Sequence, residues 1–297
     1  MTNQPHDQFA KQYLEAILSP LGTVDISLEV TSEVRQVDLY FSPSSTAPAS
    51  SPDLGLLGKI VATPCAIEPF RNPPSKTEIR NCILKLFSLH SQLQRKANRD
   101  KQTLSEEQLP YLWILTPTAS DHLIKSFKFT QSDQWSTGVY FLAPAQKTAL
   151  IAINRLPEIP ETLWLRILGK GQLQERAILE LVALARENPW RSRALEQVAI
   201  WRVNLEMQAN PTREEKELMM TLSPAYLQWR EEAVQQGLQQ GQRVMLENML
   251  AVRFGAVDEE LAMMIDRLLQ LPPQEAVSLV LQLTREELLK RLRSESN

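Results

Sequence analysis

Two short stretches, each holding one acid among apolar residues, most constrain what this chain of 297 residues can fold into. Residues 35–41 read Arg-Gln-Val-Asp-Leu-Tyr-Phe, and residues 65–71 read Cys-Ala-Ile-Glu-Pro-Phe-Arg. Both patterns are typical of β-strands. An acid inside a core strand is costly unless it is paired, hydrogen-bonded or bound to a metal. Asp38 and Glu68, on neighbouring strands, are therefore the candidate site.

Side chains alternate between the two faces of a strand, and this assigns a face to each acid. Val37, Leu39 and Phe41 are predicted to share one face, with Asp38 on the other. Glu68 shares its face with Phe70.

The first half of the chain mixes helical and strand patterns. Strands are also predicted at residues 24–30, 111–115 and 138–142, and helices at 6–18, 76–97 and 119–127. Ser75 and Glu78 have the spacing of a capping box, which marks the start of the second helix. Helix, three strands, helix and strand in this order predict an α/β (α+β) core with one mixed sheet.

Helical periodicity alone continues after Pro157, which predicts an all-helical C-terminal region. The expected helices cover residues 160–168, 173–186, 190–207, 213–222, 224–254, 258–270, 273–282 and 285–293. We therefore divide the chain into residues 1–156, 157–222 and 223–297.

Residues 235–242 repeat a Gln/Gly unit, Gln-Gln-Gly-Leu-Gln-Gln-Gly-Gln, inside a predicted helix. A helix-interior glycine costs about 1 kcal/mol relative to alanine. Close helix–helix contact, and hence a homo-oligomer through the C-terminal helices, is one explanation for Gly237 and Gly241. A weak helix without a partner is the other.

Composition narrows the function classes. The formal net charge is −3, which argues against indiscriminate binding to nucleic acid. Cys65 and Cys82 fall in apolar patterns and are predicted to be buried thiols, and scattered histidines argue against structural zinc. The absence of a membrane-length apolar run predicts a cytoplasmic protein without membrane contact.

The acid-bearing strands and the element order resemble the PD-(D/E)xK nuclease superfamily, closest to its recombination-promoting nuclease and transposase-like family. The resemblance covers about residues 6–145 and implies a restriction-endonuclease-like core. The whole chain also resembles bacterial, often cyanobacterial, proteins that join this domain to a helical tail with Gln/Gly repeats.

The resemblance implies a site as well as a fold. Asp38 and Glu68 match the acids that hold Mg²⁺ in the superfamily, where a lysine two residues after the glutamate helps to generate hydroxide. Phe70 occupies that lysine position, which is a departure from the motif. Lys76, in the first turn of the next helix, is the candidate to reach back as the third catalytic residue.

Two functions are compatible with these residues. One is a metal-dependent DNA endonuclease that uses Mg²⁺ held by Asp38 and Glu68. The other is a non-catalytic binding or assembly protein on the same fold, which self-associates through its helical tail. In the second case Glu68 is expected to form a structural ion pair with Arg71, Arg80 or Lys76.

Overall fold

The computed structural model describes residues 5–30, 35–44, 52–255 and 258–294. Their strands form one seven-stranded mixed sheet with the order β1-β2-β3-β4-β7-β6-β5. The strands are β1 (Gly22–Val30), β2 (Arg35–Pro43), β3 (Cys65–Pro69), β4 (Tyr111–Thr116), β5 (Thr130–Gln131), β6 (Val139–Phe141) and β7 (Thr148–Ala152).

The first four strands lie in one mixed sheet, as predicted from sequence. β1 pairs antiparallel with β2, β2 pairs antiparallel with β3, and β3 pairs parallel with β4. The predicted neighbourhood of the two acid-bearing strands is confirmed. The sequence analysis missed β7, a fully buried strand that pairs parallel with β4. The apolar run at residues 149–153 is the sequence signal from which this strand could have been predicted.

Eleven helices surround or follow this sheet in the described part of the chain. They are α1 (Pro5–Leu18), α2 (Gly55–Ile60), α3 (Lys76–Arg99), α4 (Asp121–Phe127), α5 (Leu163–Arg166), α6 (Gly171–Ala183), α7 (Arg191–Glu206), α8 (Arg213–Phe254), α9 (Glu259–Leu268), α10 (Pro273–Gln282) and α11 (Arg285–Ser294). The predicted capping box is present at the start of α3, where Ser75 and Glu78 exchange hydrogen bonds.

One core lies on each face of the sheet. Leu39, Ile67 and Trp113 belong to the cluster that contains the apolar side chains of α1, α6 and α7. The residues next to them in the strands, such as Ala66 and Leu112, belong to the cluster under α3 and α4. The sheet is therefore buried on both faces, which explains the continuous apolar sequence of its central strands.

Val37 departs from the predicted alternation along β2. Its side chain packs in the α3 cluster, whereas Leu39 and Phe41 pack in the α1 cluster. The paired residues of β2 and β3 run from Leu39 to Phe41, so the regular ladder ends just before Asp38. Alternation holds only where a strand stays regular, and the face predicted for Val37 was wrong for that reason.

The chain divides into two compact units, residues 1–229 and 230–297. In the first unit, side chains of α6 and α7 share a core cluster with β2 and β3, so the segments predicted as 1–156 and 157–222 lie in one unit. The second unit has its own core, built from Leu246 and Leu250 of α8 together with apolar side chains of α9, α10 and α11.

α8 is a single helix of 42 residues and passes through Pro224, where the sequence predicts a break. Proline removes one helical hydrogen bond and crowds the preceding turn. The flanking residues Leu222 and Ala225 are fully buried in the first core, and this packing offsets the loss. No helix in the described residues has the length and apolar character needed to cross a membrane.

Candidate acid–lysine site

The antiparallel register of β2 and β3 brings the two predicted acids together. Leu39 pairs with Ile67, and continuing that register by one residue places Asp38 opposite Glu68. There the backbone N–H of Asp38 donates a hydrogen bond to Oε1 of Glu68, over 3.3 Å. The side chain of Glu68 thus accepts the hydrogen bond of the first backbone N–H beyond the regular ladder.

Glu68 is almost sealed from solvent, with 2% of its surface exposed. The ammonium group of Lys85 on α3 donates to both of its carboxylate oxygens, at 3.0 Å from Oε1 and 2.8 Å from Oε2. The thiol of Cys82, one turn earlier on α3, lies 3.8 Å from Oε2. Every partner of this carboxylate therefore comes from β2 or from the helix that covers it.

Asp38 is more open than Glu68 and has a cation of its own. Its Oδ1 lies 2.8 Å from Nζ of Lys11 on α1, and 26% of its side chain is exposed. Two acids on adjacent strands are thus matched by two lysines from different helices. We refer to Lys11, Asp38, Glu68 and Lys85 as the acid–lysine cluster.

Opposing effects act on the protonation of Glu68. Burial, and then the charge of Asp38, favour the protonated acid, while Lys85 favours the carboxylate. Burial prevails and raises the pKa of Glu68 to about 8. Burial on its own lowers the pKa of Lys85, but the adjacent Glu68 raises it on balance.

A raised lysine pKa presupposes an ionised Glu68, whereas the raised acid pKa means that Glu68 holds a proton for much of the neutral range. The raised pKa of Glu68 has the stronger physical basis, because burial acts most on Glu68, whose side chain is 2% exposed, while the Lys85 side chain is 21% exposed. Lys85 therefore stays charged, and Glu68 exchanges its proton near neutral pH.

Two of the three predicted partners of Glu68 contact other residues, and the third, Arg80, is exposed on α3. Nζ of Lys76 is 3.2 Å from Nε2 of His122 on α4, at the exposed start of α3. Arg71 approaches Glu214 at 3.5 Å. Phe70 packs against the α3 cluster, as its apolar ring favours. Lys76 thus does not reach back to the acids, because its position at the first residue of α3 directs it toward α4.

Lys85 is a site residue that was not singled out from the sequence. A signal was present. Lys85 follows Cys82 by three residues and precedes Leu89 by four, which places it beside the buried stripe of α3. A lysine at such a position can reach over the sheet while its tip meets a buried acid.

The cluster as arranged does not fit a resident magnesium ion. Magnesium needs carboxylate oxygens free to face it, but here Lys85 holds both oxygens of Glu68 and Lys11 holds one of Asp38. No group of three or more His, Cys, Asp or Glu side chains in the described residues is placed to hold a metal ion. A cavity of about 150 Å³ is lined by Arg71, Lys170 and Glu214 among others, and neither Asp38 nor Glu68 lines it.

Comparisons of the chain with protein-family models, with curated proteins and with solved structures give no match.

Proposed function

We propose that this protein is a non-catalytic assembly protein on a restriction-endonuclease-like core. In this proposal the acid–lysine cluster is a structural device at the position where the nuclease resemblance implies a metal site. The observation that carries the proposal is the state of Glu68: 2% exposed, with both carboxylate oxygens bonded to Lys85. A carboxylate in that state has no open side toward water or a phosphate.

Two features support the nuclease-like core. The first is the order α1, β1, β2, β3, α3, β4, in which the short α2 and two 3-10 turns are inserted, and with three antiparallel strands followed by a parallel one. The second is the meeting of the acids of β2 and β3 at one point of the sheet. Fold and function are separable, so neither feature assigns an activity.

The structural role has a clear physical content. An unpaired buried carboxylate is costly, and Lys85 relieves that cost while tying α3 to β3. Lys11 does the same for Asp38 and ties α1 to β2. The cluster thus joins both helical layers to the acid-bearing strands.

A metal-dependent DNA endonuclease is the second candidate, and one observation favours it. Lys85 supplies, from α3, a lysine beside the two acids, where the resemblance implies one but Phe70 stands in the strand. This candidate requires that Mg²⁺ displace an ammonium group from each carboxylate. DNA is then the expected partner.

Melting curves of the full chain with and without millimolar Mg²⁺ or Mn²⁺ separate the two candidates, together with cleavage assays on plasmid DNA. If the protein is a non-catalytic assembly protein, adding metal should leave the melting temperature of the parent unchanged, and likewise that of Asp38→Ala. The plasmid should stay intact with both proteins. A metal-dependent rise in the parent that Asp38→Ala abolishes would overturn the assembly proposal. Cleavage lost in both Asp38→Ala and Lys85→Ala would establish the endonuclease instead.

A further inference from the structure

α8 carries a second apolar face in addition to the one that packs in the core of residues 230–297. Val234, Leu238, Met245 and Val252 are exposed by 54%, 57%, 42% and 89%. With Gly241 and Asn248 between them, these positions follow one another at alternating intervals of four and three residues. That spacing is the seam of a coiled coil. We call Val234, Leu238, Gly241, Met245 and Val252 the α8 stripe.

The stripe is separate from the face that α8 uses within its own unit. Leu246 and Leu250 point into the core with α9, α10 and α11, and they are 2% and 0% exposed. Taking 3.6 residues per turn, the middle of the stripe lies about a third of a turn away from them. The stripe borders this core at Met245, which lines a small apolar pocket with Leu246 and Leu268.

No close packing within the described residues requires glycine at position 237 or 241 of α8. A Cβ added at Gly237 or Gly241 would meet no atom within 4 Å. Glycine is unfavourable in a helix interior, and here no neighbour approaches closely enough to require it. The space beside Gly241 is open to another molecule, and it lies on the seam.

The charge pattern favours a second copy of the same helix as that molecule. Residues 233–242 read Ala-Val-Gln-Gln-Gly-Leu-Gln-Gln-Gly-Gln and contain no charged side chain. Two such segments meet without like-charge repulsion, and a highly charged partner would find no complement there. The glutamines that flank the seam both donate and accept hydrogen bonds, so they can pair with their own kind.

The sizes of the stripe residues select the direction of pairing. In an antiparallel pair, Leu238 faces Gly241 of the second copy and Val234 faces Met245, so that each large side chain meets a smaller one. In a parallel pair, Gly241 faces Gly241 and leaves a gap in the seam. The antiparallel pair is therefore the more stable, because a gap in the seam of the parallel pair loses van der Waals contacts.

We propose that the α8 stripe is the interface of an antiparallel homodimer, in which Leu238 of each copy packs on Gly241 of the other. This rests on the proposed assembly function and names its partner, a second copy of this chain. The two can fail separately: a dimer that cleaves DNA would overturn only the non-catalytic function, and an inert dimer that Leu238→Glu leaves intact would overturn only the α8 interface.

Light scattering on the full chain tests the pairing. The parent is expected at twice the chain mass of 33.9 kDa and Leu238→Glu at the single mass. Met263→Glu, which places the same charge on an equally exposed side chain of α9, should keep the doubled mass. A monomeric parent, or equal masses for the two variants, would overturn the proposal.

Glycine variants cover the case in which Leu238→Glu does not fold. Gly241→Leu fills the space that Leu238 of the second copy needs and should lower the dimer fraction. Gly237→Leu, one position off the seam, should lower it less. Both changes improve helix propensity, so lost dimer does not reflect lost helix. A stronger effect of Gly237→Leu would overturn the register.

Oxidative cross-linking tests the direction. A mixture of Val234→Cys and Met245→Cys chains should form a mixed disulfide, whereas Val234→Cys alone should not cross-link. The native Cys65 and Cys82 are buried and give the background in the parent. Efficient cross-linking of Val234→Cys with itself would show parallel pairing and overturn the proposal.

Discussion

Nζ of Lys85 lies within 3.0 Å of both carboxylate oxygens of Glu68, and this pair is the only described cation-to-acid contact in which the acid is sealed in the core. It links α3 to β3 at the place where the nuclease resemblance implies metal chemistry. The pair makes the stability of the fold depend on pH in a way that can be measured.

Lys85→Met should destabilise the protein, and more so at higher pH. Without the ammonium, the pKa of Glu68 rises further above about 8. At pH 6 the acid is protonated in both proteins, and the loss is one hydrogen bond, about 1 kcal/mol. At pH 9 the acid of the parent is ionised beside Lys85 while that of the variant is still protonated, which adds about 1.4 kcal/mol to the loss. Urea unfolding measures both. Lys76→Met, which loses an exposed contact to His122, should change little at either pH. An equal cost for the two variants would contradict the role of Lys85.

Glu68→Gln should remove a pH dependence from the parent. Because the pKa of Glu68 is raised from 4.5 to about 8, the folded state binds more protons than the unfolded state between those values. The free energy of unfolding of the parent therefore falls as pH rises through this window, by up to about 1.4 kcal/mol per pH unit.

The charged and titratable groups around Glu68 are Asp38, which is paired with Lys11, and Lys85 and Cys82 on α3. Burial raises the pKa of the Cys82 thiol, so it stays neutral across the window. The difference in unfolding free energy between parent and Glu68→Gln should thus change from pH 5 to pH 8 and level off above it. A constant difference would mean that Glu68 does not titrate there.

Glu180→Ala should destabilise the first unit by about 2 kcal/mol, because it strips a fully buried guanidinium of its acid. Arg166 is 0% exposed and donates to both oxygens of Glu180, at 2.8 and 2.6 Å. The expected loss of stability stays moderate because water reaches the ion pair through Glu180, whose side chain is 40% exposed. Chemical denaturation measures the effect. Glu158→Ala removes the acid of an equally bidentate but exposed pair with Arg176 and serves as control, with little change expected.

Pro224→Ala should stabilise the first unit, by about 2 kcal/mol at most, since α8 runs through this position without the hydrogen bond that proline cannot make. Thermal unfolding gives the comparison. Pro160→Ala, at the first position of a short 3-10 turn, should bring no gain because its N–H would have no helical acceptor. A loss of stability in Pro224→Ala would argue that the helix is not regular there.

Local pattern alone determined much of this fold. Alternation, a continuous apolar run and turn signals indicated β1 to β4, and the order of elements predicted that the strands of Asp38 and Glu68 would be neighbours in a mixed sheet. The Ser75 cap and the helical region after residue 157 also followed from short-range rules. These features depend on backbone preference and side-chain period, which a few consecutive residues carry.

Only the tertiary structure decided which cation meets Glu68. Lys76, Arg71 and Lys85 are all within reach along the chain, and the choice depends on how α3 lies over β3. That placement is set by the packing of Ile79, Cys82, Leu86 and Leu89 against the sheet, which brings Lys85 over the acid and leaves Lys76 beside α4. The continuity of α8 through Pro224 was decided in the same way, by burial of its neighbours. Sequence fixes which side chains can pair, but the pairing itself follows from long-range packing, whose free energy exceeds that of any local preference.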